Sequence, residues 1–146
     1  TFDFLGFTHI AGKDRQGRDL VLRKTSRQRF CRGINALKEW CSDNRHQPIN
    51  SQWRALCLKL KGHYEYYGVR GNYNALSRFR QKVWNNWLHA LKRRSQKIRR
   101  GRLHRLTTKV FKLPPPRITH SEGWFRVNPG YLLGRAGCGN SARPVL

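Results

Sequence analysis

Residues 60 to 76, Leu60-Lys61-Gly62-His63-Tyr64-Glu65-Tyr66-Tyr67-Gly68-Val69-Arg70-Gly71-Asn72-Tyr73-Asn74-Ala75-Leu76, set four tyrosines and three glycines between two helical patterns. Upstream, Ile49, Trp53, Leu56, Cys57, Leu60, Tyr64 and Tyr67 trace one face of a long helix. Downstream, Leu76, Phe79, Val83, Trp87 and Leu91 begin a second such face. The break between them, Gly68 to Asn72, offers a glycine able to take the positive φ of a C-cap and an asparagine able to cap the next helix. The stretch predicts the corner of a helical hairpin, and the rest of the chain has to be arranged around it.

Charge limits what such a hairpin can serve. Thirty-one Lys and Arg against seven Asp and Glu give a net charge of +24 over 146 residues, enough for one domain and one modest core. A folded surface carries that self-repulsion when a polyanion neutralises it, so nucleic acid is the expected partner. The charge is spread along the chain and accompanies five Trp, five Tyr and seven Phe, a composition that a disordered basic arm lacks. No run of about eighteen apolar residues is present to span a bilayer and no signal-peptide pattern is seen. Cys31, Cys41 and Cys57 lie within helical patterns and no C-x-x-C pair exists; they read as small core residues in a reducing compartment, cytoplasmic of bacterial type or organellar. The chain has no Met and opens on Phe2-Asp3-Phe4-Leu5-Gly6-Phe7, which has the look of the middle of a strand. A piece of a longer protein, or a processed product, is the expectation.

In chain order, the aromatic run of residues 2 to 10, the turn-rich Gly12 to Asp19 and Leu20-Val21-Leu22 predict an N-terminal β-hairpin over 1 to 24, which must lean on the helices or on further strands to be stable. The first helix is expected over about 26 to 44, capped by Thr25 or Ser26. Phe30, Ile34, Leu37 and Cys41 form its buried stripe with Trp40 at the edge, and Arg29, Arg32, Glu39 and Asp43 its solvated face. The second runs from 49 or 51 to 67, with Gly62 marking either close backbone packing or a tolerated glycine. The third, about 73 to 98, puts Tyr73, Leu76, Phe79, Val83, Trp84, Trp87, Leu88 and Leu91 on one arc and Arg78, Lys82, Asn85, His89, Lys92, Arg93 and Gln96 on the other. That polar arc has no acidic residue, so it lacks the ion pairs that usually support an exposed helix. Arg80 and Arg94 fall within the apolar arc, and Arg80 is either stacked on a tryptophan or paired with a carboxylate. Trp53, Trp84 and Trp87 are expected in the core. Between Lys92 and Lys112 there are ten Lys or Arg and no acid; Leu103, Leu106, Val110 and Phe111 allow one more short helix before Pro114-Pro115-Pro116 stops it. The fold expected is mainly α: a hairpin over 1–24, a helical domain over 25–112 and a Pro/Gly/Arg-rich extension over 113–146, irregular and in part disordered.

The residues of catalysis are scattered. The seven acids form no Asp-Asp or Glu-x-Glu pair that would hold Mg²⁺, and the six histidines show no H-E-x-x-H and no zinc spacing. No catalytic residue, metal or cofactor is expected. A small nuclease using His104 or His120 is the alternative on the enzymatic side. What the chain does carry is basic residues interleaved with aromatics, the two general sources of nucleic-acid affinity. Among the aromatics Tyr66, off the main stripe, is the best candidate for stacking on a base.

Three phrases then resemble one known family. Phe2-Asp3-Phe4-Leu5-Gly6-Phe7 resembles the close of the palm region of group II intron-encoded reverse transcriptases. Leu60 to Val69, with Asn72, Leu76, Phe79, Val83, Trp87, Leu91 and Arg93-Arg94-Ser95-Gln96, is similar to their thumb or maturase domain, domain X. Leu113-Pro114-Pro115-Pro116-Arg117-Ile118 with His120-Ser121 resembles the segment beyond it. The likeness covers roughly residues 1 to 121. It implies a thumb-like three-helix bundle that grips template–primer duplex or intron RNA to assist splicing and reverse transcription, with Arg78, Lys82, His89, Lys92, Arg93 and Gln96 on the RNA. Lys97, Arg99 and Arg100 in the basic block, with Tyr66 and Arg70 at the corner, complete the expected RNA-binding set. The family's fingers, palm and catalytic Tyr-x-Asp-Asp phrase are absent from this sequence, so polymerase chemistry is not expected of it alone. A fragment, a split partner of a fingers–palm protein, or a stand-alone remnant would each fit. A structural RNA-binding protein of ribosomal or nucleoid type is the alternative reading of the composition.

Overall fold

A computed structural model describes residues 1–13, 15–94 and 99–120. The strands are β1 (Phe2–Phe4), β2 (Phe7–Lys13) and β3 (Asp19–Thr25). The helices are α1 (Arg27–Asp43), α2 (Ile49–Tyr67), α3 (Tyr73–Arg94) and α4 (Arg100–Arg105), and α4 runs into a π turn over Leu106–Val110. Expected elements that reach 95–98, and the whole extension from 121 onward, including Cys138, lie outside the described residues.

The N-terminal segment is a three-stranded antiparallel sheet in the order β1-β2-β3, where a single hairpin was expected. The extra strand comes from a two-residue turn at Leu5-Gly6, which connects the Phe4–Phe7 pair. Both turn residues have positive φ, 49° and 84°, as the twist of a tight hairpin demands. An exposed leucine at such a position is a poor turn signal, which is why the sequence pattern hid the strand. The sheet does lean on the helices. Phe7 is buried against the rings of Tyr66 and Tyr67, and the Ser26 N–H donates to the Gly6 carbonyl at 2.9 Å. Ser26 also caps α1, its hydroxyl accepting from the Arg29 N–H.

The helices share one core, assembled from the predicted stripes. Leu37 and Cys41 enter it from α1, Leu56, Leu60 and Tyr64 from α2, and Leu76, Phe79, Val83, Trp87 and Leu91 from α3. Phe79 is its centre, with the His63 imidazole stacked on it at 3.7 Å and Phe30 edge-on at 5.6 Å. Burial pulls the His63 pKa down to about 4, so the imidazole is neutral at pH 7. A polar bridge crosses the interior: Trp87 Nε1 donates to Gln52 Oε1 at 3.0 Å, and Gln52 Nε2 donates to the carbonyls of Gln47 and Arg45. Gln52 is fully buried and these bonds satisfy its amide.

Several placements differ from the periodic reading. Of the three tryptophans expected in the core, only Trp87 is fully buried; Trp53 and Trp84 are half-buried at its margin. An indole is too large for an edge position to enclose, and the Trp53 N–H reaches out to the Lys112 carbonyl. Cys31 is exposed and Cys57 half-buried, leaving Cys41 as the one buried cysteine among the described residues. Tyr73 is 51 % and Val110 62 % exposed, each at an element end where no neighbour covers the stripe. Gly62 has open space where a side chain would be, so it is a tolerated glycine.

The corner itself is built otherwise than by capping. Gly68 has φ −74°, and the positive φ belongs to Gly71. What Gly68 supplies is room: a Cβ there would collide with the Tyr64 carbonyl and lie 2.6 Å from Thr119 Oγ1. Asn72 is 1 % exposed and turns its amide away from α3. Its Oδ1 accepts from the Thr25 N–H at 3.0 Å, while Nδ2 donates to Thr25 Oγ1 and to the Tyr67 carbonyl, both at 2.8 Å. It clamps the end of β3 to the end of α2.

After the π turn the chain returns as an irregular strap over residues 112–120. Leu113 is buried, and the Tyr64 hydroxyl donates to the Pro114 carbonyl at 3.1 Å. Thr119 and His120 both donate N–H groups to the Gly68 carbonyl, and His120 bridges in parallel to Val69. Arg80 neither stacks on a tryptophan nor pairs with a carboxylate; its Nη2 and Nε donate to the carbonyls of Leu113 and Pro114, each at 3.1 Å. Arg94 likewise ends on a carbonyl, that of Gln47. Among the described residues no helix is long and apolar enough to cross a membrane.

Candidate nucleic-acid interface

Because Leu76, Phe79, Val83, Trp87 and Leu91 fix one side of α3 in the core, the opposite side is presented outward without freedom to rotate. Arg78, Lys82, His89, Lys92 and Arg93 are all exposed on it. At 100° per residue they share an arc of about 100°, and at 1.5 Å per residue they extend over about 22 Å. No Asp or Glu occurs anywhere in α3. Lys92, Arg93 and Arg94 occupy its last turn, where cations also complement the negative end of the helix dipole. The strip is thus a rigid row of basic side chains on a helix whose other face is fixed in the core.

The other expected residues fall into three groups. Arg99 is exposed just before α4 and Arg100 is the first residue of α4, so both come after the strip in sequence, beyond residues 95–98. Gln96 and Lys97 lie outside the described residues. Arg70 and Tyr66 sit at the corner, at the opposite end of α3, and are not brought together with Lys92 and Arg93. Tyr66 is 53 % exposed, but its hydroxyl donates to the Leu5 carbonyl at 2.9 Å and one face of its ring stacks on Phe7. It serves as a brace between α2 and the β1–β2 turn, with the Tyr67 ring set edge-to-face against it at 4.7 Å.

The histidines considered for nuclease chemistry are engaged elsewhere. His104 packs edge-on against Trp84 at 5.2 Å, and His120 Nε2 lies 2.8 Å from the Glu65 carbonyl. Among the described residues no group of three His, Cys, Asp or Glu side chains could hold a metal ion. Tyr64, whose hydroxyl holds the strap, has its pKa pushed up to about 12 by burial, partly opposed by the Arg80 charge, and stays a donor.

One feature escaped the sequence reading. Arg80, Gln81, Trp84, Thr107, Thr108 and Lys112 converge on a recess beside α3. Its far wall depends on the π turn, which no periodicity announces; two adjacent threonines inside a basic block were the available signal. Comparison with family models, with curated proteins and with solved structures finds no match for this chain.

Proposed function

We propose that this chain is an RNA-binding domain whose α1–α3 body acts as a thumb-like bundle, in the manner of the thumb or maturase domain of the group II intron reverse transcriptases that the sequence resembles. The exposed strip of α3 lies along the phosphates of intron RNA or of a template–primer duplex, and the basic block that follows extends the contact. Fingers and palm, where the chemistry of that family resides, would come from elsewhere in the assembly. The observation that carries the reading is the strip itself: five exposed basic or titratable side chains on one arc of a helix whose other face is buried and which has no acid to neutralise them.

Binding to structured RNA is expected to be steeply salt dependent. With about six phosphates neutralised, log K against log salt falls with a slope of about −4 to −5. The decisive comparison sets Arg78, Lys82, Lys92 and Arg93, all changed to Gln, against Lys13, Arg15 and Arg18 changed to Gln on the β2–β3 side. The helix residues lose little ordering entropy on binding, whereas the turn residues lose more. The helix variant should weaken binding more and flatten the salt slope by up to about one unit per lost contact, with circular dichroism unchanged. Equal losses would mean diffuse electrostatics, and a larger loss in the turn variant would put the RNA on the other side of the molecule.

A further inference from the structure

The recess lined by Arg80, Gln81, Trp84, Thr107, Thr108 and Lys112 has a volume of about 260 Å³ and lies between α3 and the π turn, about a third of a turn round α3 from the basic strip. Its walls are held in place. Arg80 is fixed by the Leu113 and Pro114 carbonyls. The backbone bearing Lys112 is tied by the Trp53 indole N–H, and Trp84 is braced by His104.

Donors and acceptors are sorted within it. The Arg80 guanidinium has N–H groups beyond the two that hold the strap, and Lys112 adds an ammonium. Thr108 Oγ1 donates to the His104 carbonyl at 2.7 Å and Thr107 Oγ1 to the Leu103 carbonyl, so toward the recess the hydroxyl oxygens can only accept. Gln81 donates one N–H to Asn85, leaving its carbonyl oxygen to accept as well. Two cations and no carboxylate select an anion. An indole wall and acceptors for amine or hydroxyl protons are of no use to a bare phosphate but match a nucleotide. The volume sits just below the usual small-molecule range of about 300–1,000 Å³, which admits one base and excludes a base pair.

The geometry points to a pocket for a single unpaired nucleotide, flipped out of an RNA lying on the α3 strip, with its base against Trp84 and its phosphate at Arg80 and Lys112. This rests on the reading of the chain as an RNA-binding domain and adds to it a preference for bulged RNA. Three hairpins of one stem test it: fully paired, carrying one bulged adenosine, and carrying an abasic residue at the bulge. Fluorescence anisotropy should give the intact protein at least about fivefold tighter binding to the bulged adenosine than to the abasic bulge, the lower end of what one base stacked on an aromatic ring contributes. Trp84→Leu should abolish that difference and leave the paired hairpin within about twofold, with folding checked by thermal circular dichroism. Lys112→Gln, at an exposed position, is the second variant should Trp84→Leu unfold; it should weaken both bulged hairpins relative to the paired one. Equal affinity of the unaltered protein for adenosine and abasic bulges would overturn the pocket while the RNA-binding reading stood. An adenosine preference that survives in folded Trp84→Leu, or bulged hairpins that Lys112→Gln leaves as tight relative to the paired one as before, would also overturn it, and failure to bind any of the three hairpins would overturn both readings.

Discussion

Asn72 joins the sheet to the helices, and its removal should be costly far beyond the loss of one surface amide. The side chain makes three hydrogen bonds, one from the Thr25 N–H and two to Thr25 Oγ1 and the Tyr67 carbonyl. The Tyr67 carbonyl keeps the Val69 N–H, so only the Thr25 N–H is left without a partner; at about 1 kcal/mol for each of the other two bonds and about 1–3 kcal/mol for that orphaned donor, Asn72→Ala should destabilise by about 3–5 kcal/mol. Domains of this size have only about 5–15 kcal/mol to lose. Asn72→Asp is the sharper probe. A carboxylate can still accept from the Thr25 N–H, but it cannot donate to the Tyr67 carbonyl and faces that oxygen with a negative charge. The Asp variant should therefore match or exceed the Ala variant in cost at pH 7 and recover part of it below about pH 4, where a protonated carboxyl can donate again. Urea unfolding gives the free energies, and hydrogen exchange at the Thr25 amide reports the clamp itself. An Ala variant within about 0.5 kcal/mol of the parent, with Thr25 as protected as before, would refute the reasoning.

Three further outcomes can be checked on the same material. Gly68→Ala forces a Cβ to within 2.9 Å of the Arg117 carbonyl and closer to Thr119; it should cost about 1–3 kcal/mol by overpacking and raise protease cleavage within residues 113–120. His63 has a folded-state pKa of about 4 against 6.5 unfolded, so between those values the unfolded chain binds more protons and stability rises with pH. The penalty is absent above about pH 6.5 and grows to about 2–3 kcal/mol as pH falls to 4. His63→Phe should flatten that slope in urea titrations, and an unchanged slope would show that the imidazole is not buried as described. With burial pushing the Cys41 thiol up to about 11, alkylation at pH 8 should modify exposed Cys31 quickly and Cys41 only after unfolding; equal rates would contradict the core assignment.

The helices were legible because their stripes are long and regular: Leu56, Leu60 and Tyr64, or Phe79, Val83 and Trp87, can be buried in only one way by a helix. The basic strip of α3 followed from the same wheel, since fixing the buried side fixes the exposed one. Side-chain chemistry at the corner was not legible. Asn72 before a helix has the pattern of a cap, and nothing local says that its partner is Thr25, 47 residues away. A glycine at a helix end suggests a positive φ, whereas Gly68 gives the strap room to approach, a requirement set by residues 117 and 119. Arg80 on an apolar arc allowed two readings, and neither included the carbonyls of a proline-rich segment more than 30 residues on. The π turn and the recess beside it have no periodic signature. The features of the corner and the strap depend on contacts distant in sequence, which periodicity cannot report.

The strap also sets an order of events during synthesis. Tyr64 and the Pro114 carbonyl it bonds are 50 positions apart, and at about 5–20 residues per second the ribosome needs about 3–10 s to bridge them. Until then the α2–α3 corner exists without its last layer: the Tyr64 hydroxyl, the Trp53 indole N–H and the Gly68 carbonyl are left to water, and the site of Leu113 is an open apolar socket.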